Sequence, residues 1–204
     1  MLKFYYAPGT CALAVHIALA EIGADFEAIA LDFSAKQQQT PDFLKINNKG
    51  RVPVLVTEQG VLTETPALLA FIAQSYPEAE LAPLNNPFEF ARIQAFNNYL
   101  ASTVHVAHAH KLRGSRWADK PASLEDMFQK VPENMSHLMQ TIEDTMFAGP
   151  WVMGDSYSIC DPYLYTIARW LEADRVDVKK FPKIAAHMNR VEARPAVQSI
   201  LKHH

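Results

Sequence analysis

Along the first eighty positions the spacing of apolar residues changes period several times. The run "LKFYYA" is short, aromatic and closed by Pro8-Gly9, which predicts a strand entering a turn. "CALAVHIALAEIG" switches to helical spacing, with Leu13, Ile17 and Ala20 on one face and Cys11, Val15 and Leu19 in the adjacent row. Gly23 is placed to stop that helix. "FEAIAL" returns to a strand pattern, and a β-α-β unit joins it parallel to the first through a right-handed crossover. A polar stretch with a short helix around "PDFLKI" follows. "VPVLV" and "GVLT" then flank "TEQG" as a hairpin. Pro53 cannot donate to a sheet ladder, so it predicts either an edge strand or a cis bond at a functional turn. In "TPALLAFIAQSYP", Thr65 is placed to cap a helix with Pro66 in its first turn and Leu68, Leu69 and Ile72 on its core face.

The texture changes at "YPEAELAPLNNP", where Pro77, Pro83 and Pro87 mark a linker, and no later segment reads as a strand. "FEFARIQAFNNYLASTVHVAHAHKLR" is one long helical run with Ile93, Phe96 and Leu100 in register. "SLEDMFQKVPENMSHLMQTIEDTMF" is a second, expected to kink or break before Pro132. "SICDPYLYTIARWLEA", "FPKIAAHMNRVEA" and "PAVQSIL" complete a helical half. The expected layout is an α/β half over residues 1–78, a linker over 79–87 and an all-helical half over 88–204.

Composition narrows the class. The chain has 204 residues, 49% of them hydrophobic and 20% charged, which suits an ordinary globular protein with a substantial core. A formal charge of -3 shows no basic excess, arguing against nucleic acid or an anionic membrane surface as partner. No apolar run is long enough for a transmembrane helix, and the N-terminus lacks the apolar core of a signal peptide. With two cysteines far apart, reduced thiols and a cytoplasmic setting are the expectation. The closing "KHH" has the look of a tag remnant, and His203 and His204 receive no role.

Cys11 carries the sharpest chemical question. It stands where a helix N-terminus offers unpaired N–H groups and a positive dipole end, which favour a thiolate. A reactive thiol and a small packing residue are both consistent with that position. No second cysteine lies at C-x-x-C spacing, so disulfide chemistry would need an outside thiol. "HVAHAH" invites a metal reading, but His110 lies about 140° around a helix from His105, so three ligands on one face are not available. "SICDP" is a capping box, Ser158 with Asp161 three residues on, and Cys160 inside it reads as inert packing.

Pro8-Gly9 before the first helix and Pro53 after a separate apolar element suggest a thioredoxin-like half. In this order and spacing, "YYAPGTCALAVHIALAEIG", "NNKGRVPVLV", "LTETPALLAFIAQSYP" and "SICDPYLYTIARWLE" resemble the bacterial glutathione transferases, the beta type most closely. The resemblance covers essentially the whole chain. It implies a thioredoxin-like α/β domain followed by an all-helical domain that builds the pocket for a second substrate. It implies glutathione as co-substrate with no other cofactor and no metal, a small hydrophobic electrophile, and a homodimer.

Residue by residue, the resemblance places Val52 and Pro53 against the cysteinyl part of glutathione, through backbone groups that an extended residue before proline presents sideways. Glu64 and Thr65 would hold the γ-glutamyl end, and the same "TETP" also serves as a plain helix cap. Cys11 and His105 would lie at the sulfur, with Asn98 and Ser102 on the His105 face of the helix. Lys36 would reach the ligand from its loop, although a solvated surface lysine is the plainer reading. Tyr6 is the candidate phenol for the sulfur, against the alternative of a core aromatic. Val106 stands where the family often has a lysine. Trp117 is read either as overhanging the electrophile pocket or as covering a loop. Conjugation is the leading activity. The alternatives are thiol-disulfide exchange or peroxide reduction through Cys11, and a non-catalytic interaction module of the same fold.

Overall fold

A computed structural model describes all residues, Met1–His204. Strand β1 (Leu2–Tyr6) runs into α1 (Ala12–Glu21), and β2 (Phe26–Ala30) returns parallel to β1 with Leu2 opposite Phe26 and Tyr6 opposite Ala30. After α2 (Pro41–Ile46), β3 (Val54–Thr57) and β4 (Gly60–Thr63) form the expected hairpin. The sheet order is β2-β1-β3-β4, with β3 antiparallel to β1. Helix α3 (Thr65–Ser75) closes this half. Val52–Pro53 is a cis peptide immediately before β3, so the proline needs no ladder partner although β3 is an interior strand.

The cap of α3 differs from the sequence expectation by one residue. Glu64 holds the capping position with φ 72°, and Thr65 is the first helical residue. A positive φ on a glutamate costs about 1–3 kcal/mol and is held in place only by its surroundings. Here Thr65, Leu68 and Leu69, all buried, anchor the helix that follows.

The second half is helical. Helix α4 (Pro87–Tyr99), capped by Asn86, passes through a π-helical turn at Leu100–Val104 into α5 (His105–Arg113). Helix α6 (Pro121–Thr141) carries Pro132 inside it; a break is the stronger of the two effects expected of this proline, a kink the milder, and the break does not occur. Proline removes one backbone hydrogen bond, and the buried stripe of Val131, Met135 and Met139 keeps the helix seated across that gap. Helices α7 (Cys160–Ala168), α8 (Pro182–Glu192) and α9 (Pro195–Leu201) follow. None of these helices is long and apolar enough to cross a membrane.

Two features join the halves. Helix α1 is buried on every side. Val15 and Leu19 belong to the core shared with the sheet, whereas Leu13 and Ile17 pack with Tyr165, Val191, Val197 and Ile200. Arg194 donates two hydrogen bonds to Glu21, at 2.5 and 2.8 Å, and lies over the Tyr157 ring. The linker is itself anchored, since Leu81 is buried and its carbonyl accepts the Ile159 N–H.

Under α7, Asp161 accepts hydrogen bonds from the Ser158 backbone and hydroxyl, as the capping-box spacing implies. Its second oxygen accepts from the Val152 N–H and meets His187 Nε2 at 2.9 Å. Cys160 is buried beside it, its thiol directed at the Ile93 carbonyl.

Candidate functional site

A cavity of about 500 Å³ opens between the two halves. On the sheet side it is bounded by Cys11 at the start of α1, the Val52–Pro53 segment, and Glu64 with Thr65 where β4 turns into α3. Each comes from a point where the backbone changes direction. Lys49 reaches across to Glu64 (2.5 Å) and to the Thr63 hydroxyl (2.7 Å), fixing the carboxylate in place. Gly50 sustains the tight approach of this loop. Its φ is 60°, and a Cβ there would meet Gln39 Nε2 at 2.6 Å. Gln38 and Gln39 border the same cavity.

Burial dominates the chemistry of Cys11. Its Sγ stands 3.9 Å from the Val52 carbonyl oxygen, and desolvation raises the thiol above its ordinary pKa, against smaller opposing effects from Thr65 and Arg113. The position at a helix start is as expected. Burial of the thiol works against the thiolate that this position favours.

On the helical side the wall is made of side chains. His105 and His108 project from α5, and both rings pack on Trp170, at 5.0 and 4.4 Å between centroids. Burial, reinforced by Arg113, His108, Arg116 and Arg51, lowers the His105 pKa to about 4. Its imidazole is therefore neutral at pH 7 and offers one donor and one acceptor. His108 Nδ1 lies 2.7 Å from Oδ2 of the fully buried Asp174, to which Lys111 also extends. His110 leaves the cavity face and packs edge-on against Trp117.

Of the residues singled out from sequence, Cys11, Val52, Pro53, Glu64, Thr65 and His105 border one cavity. Tyr6, Lys36, Asn98 and Ser102 do not. Tyr6 stacks on Phe4 and packs against His16 and His204, and does not border the cavity. The phenol at the site is Tyr163 of α7, pushed well above its usual pKa by burial and then by Cys11 and Glu64. Lys36 is exposed with φ 54°. Asn98 and Ser102 are exposed and bonded to their own helix. The π-helical turn explains the last two. The His105 N–H reaches back five residues to Leu100, and this wider turn rotates positions three and seven residues earlier off the His105 face. Ala101 takes the place on that face. Trp117 borders the cavity and is half exposed. His204, given no role from sequence, lies 2.9 Å from His16.

Sequence reasoning does not single out Arg51, Arg113, Arg116, Gln38, His108, Tyr163 or Trp170 for the site, yet all of them border the cavity. Arg51 stands within "NNKGRVPVLV", and its charge beside Val52 is the available signal. Nothing local marks the others.

The chain matches two family models, the glutathione S-transferase N-terminal domain over residues 1–74 and the C-terminal domain over residues 62–195. It is 32% identical to the glutathione S-transferase GstA of Escherichia coli O157:H7, over 98% of this chain and 97% of that protein. A Sulfitobacter glutathione transferase homologue, solved with bound glutathione, is 43% identical, with a TM-score of 0.96 and coverage of 99% and 97%. A beta class enzyme from Sphingomonas chungbukensis is 29% identical, with a TM-score of 0.85 and coverage of 98% and 97%. With the Val52–Pro53 segment facing a helical wall across one cavity, and both family models matched in sequence, the chain belongs to the glutathione S-transferase family.

Proposed function

We propose that the protein is a glutathione transferase of the beta type, binding glutathione along the sheet-side wall and adding its thiolate to a small electrophile held by the helical wall. The carrying observation is the convergence of Val52–Pro53, Glu64–Thr65, Cys11 and His105 on one cavity. Backbone groups at Val52 offer strand-like pairing to the tripeptide. Glu64 meets the γ-glutamyl ammonium, while the Thr65 hydroxyl and the N-terminus of α3 meet its carboxylate. The sulfur then lies beside Cys11 and the neutral His105, whose N–H stabilises thiolate without adding charge. Holding sulfur and electrophile together lowers the entropic part of the barrier.

The raised pKa of Cys11 favours conjugation over thiol exchange, because a buried protonated thiol is a poor nucleophile. Residues 1–78 supply the glutathione wall and 88–204 the second-substrate wall, with 79–87 as linker. Two protomers pair through α3 and the start of α4, a reading supported by Phe88, which is 72% exposed at that point. The two free thiols, Cys11 and Cys160, support a reducing cytoplasmic setting.

The test combines calorimetric titration with glutathione and an assay for aryl thioether formation from an activated aryl halide. Saturable binding with turnover that survives Cys11→Ala supports conjugation. Binding without turnover, accompanied by a glutathione adduct on Cys11, would move the activity to thiol exchange. Absence of binding would leave only the interaction-module reading.

A further inference from the structure

Three guanidinium groups on the cavity have no carboxylate partner. Arg51 enters from the loop before Val52, Arg113 from the end of α5, and Arg116 from the turn that follows it. Other arginines do find a carboxylate, Arg92 at Glu89 and Arg194 at Glu21. The carboxylate bordering the cavity, Glu64, is held by Lys49. The three guanidiniums are close enough to act on one another. Arg116 is lowered from its usual pKa first by partial burial and then by Arg51 and Arg113, and His105 responds to all three. This concentration of positive charge lies in a chain whose net charge is -3. Trp117 and Trp170 border the same cavity, Trp170 with its ring stacked on His108.

Bound as proposed above, glutathione satisfies little of this charge. Its γ-glutamyl carboxylate goes to Thr65 and the start of α3, and its glycyl carboxylate can engage one guanidinium in a bidentate pair. We infer that the second substrate is an anion, a carboxylate, sulfonate or phosphate on a planar apolar body, with Arg113 and Arg116 gripping the charged group and the tryptophans covering the body. This rests on the conjugation reading. It makes the electrophile more polar than the neutral hydrophobic compound expected from the family resemblance. Arg113 and Arg116 are then determinants of specificity on the helical wall.

The probes are 4-chloro-3,5-dinitrobenzoate and its neutral methyl ester. In both, the glutathione sulfur attacks the carbon bearing chlorine. A C–S bond forms, the C–Cl bond breaks, chloride leaves with the bonding pair, and the thiol proton passes to solvent. Rates are divided by the uncatalysed rate of each compound. The expected kcat/KM for the carboxylate exceeds that for the ester by about tenfold or more at low salt, as a charge-assisted pair gives. The preference should shrink several-fold when ionic strength is raised from about 10 to about 300 mM. In Arg113→Gln/Arg116→Gln it should fall to about one, and Arg113→Lys/Arg116→Lys should restore part of it.

Calorimetry with glutathione on the same proteins separates the two possible sources of the anion. A tenfold loss of glutathione affinity with the carboxylate preference intact would assign the arginines to the glycyl carboxylate and overturn the inference. Equal corrected rates for the two probes in the wild type, with glutathione bound, would overturn it directly, whether or not the glutamine variant folds. A wild type that binds no glutathione and conjugates neither probe would instead overturn the conjugation reading on which this one rests.

Discussion

The two walls of the cavity are built from different parts of the polypeptide. On the sheet side the groups are placed by turns of the backbone. These are the Val52–Pro53 edge, the positive-φ residue Glu64, and the first turn of α3. On the helical side they come from the ends of long side chains, with His105 and His108 resting on Trp170 and Arg113 and Arg116 beyond them. A wall fixed by backbone turns suits an unchanging ligand such as a tripeptide, since the Val52 backbone groups and the Glu64 and Thr65 side chains are all held in one geometry. A side-chain wall can be altered one substitution at a time without disturbing the fold, which suits the variable partner of a two-substrate reaction.

That contrast can be broken most forcefully from beneath the helical wall. Asp161→Ala leaves the Val152 and Ser158 N–H groups and His187 without their acceptor in a fully buried place. The expected loss is about 3–5 kcal/mol in urea denaturation. A loss under about 1 kcal/mol would show that the network does not support the helical half.

On the sheet wall, Thr65→Val keeps the shape and removes the hydroxyl. Glutathione affinity should fall about tenfold or more by calorimetry, since a hydrogen bond to a charged group contributes about 1.5–3 kcal/mol. The affinity of the helical wall for the electrophile should change far less. Equal losses on both substrates would dissolve the division of labour between the walls.

The reciprocal experiment is Asp174→Asn, which alters the acceptor behind His108 and Lys111. The KM for the electrophile should change by about fivefold to tenfold, while the glutathione dissociation constant moves less than about twofold. Smaller still is the effect expected of Cys11→Ala. With its thiol held protonated by burial, the variant should retain conjugation within about threefold. Wild-type Cys11 should react with iodoacetamide more slowly than free cysteine at pH 7. Rapid alkylation would restore the reactive-thiol reading.

The last test concerns pH. Because the pKa of His105 is depressed from 6.5 to about 4, it takes up a proton only as pH falls toward 4. The pH profile of kcat/KM should therefore show no acid limb near 6.5 that His105→Asn removes. Such a limb would mean that His105, and not only the arginines, charges the helical wall at neutral pH.

Much of the sheet wall is legible in the sequence. Pro53 after an apolar element, the "TETP" signal and a cysteine opening an apolar helix each have a local physical cause. The departures on that side are small, a cap displaced from Thr65 to Glu64 and a phenol supplied by Tyr163 in place of Tyr6. The alternation of a strand does not say which of its aromatic residues reaches the cavity, and neither Tyr5 nor Tyr6 does. The helical wall is far less legible. Ordinary helical spacing puts Asn98 and Ser102 beside His105, and the π-helical turn between α4 and α5 invalidates that spacing without leaving a residue type to mark it. Pro132 is the converse case, a strong local signal across which the helix runs unbroken, with buried residues on either side of it.

What the sequence determined by itself is the set of elements, the parallel crossover, the hairpin, the capping box at Ser158–Asp161 and the order of the two halves. All of these follow from interactions within a few residues or from the period of burial. Tertiary structure decided which side chains share the cavity. It brings Tyr163 to Cys11 and gathers Arg51, Arg113 and Arg116 from both halves. It also buries Cys11, which opposes the ionisation that a helix start favours. Desolvation and charge convergence act through space between residues far apart in the chain, so no local pattern contains them.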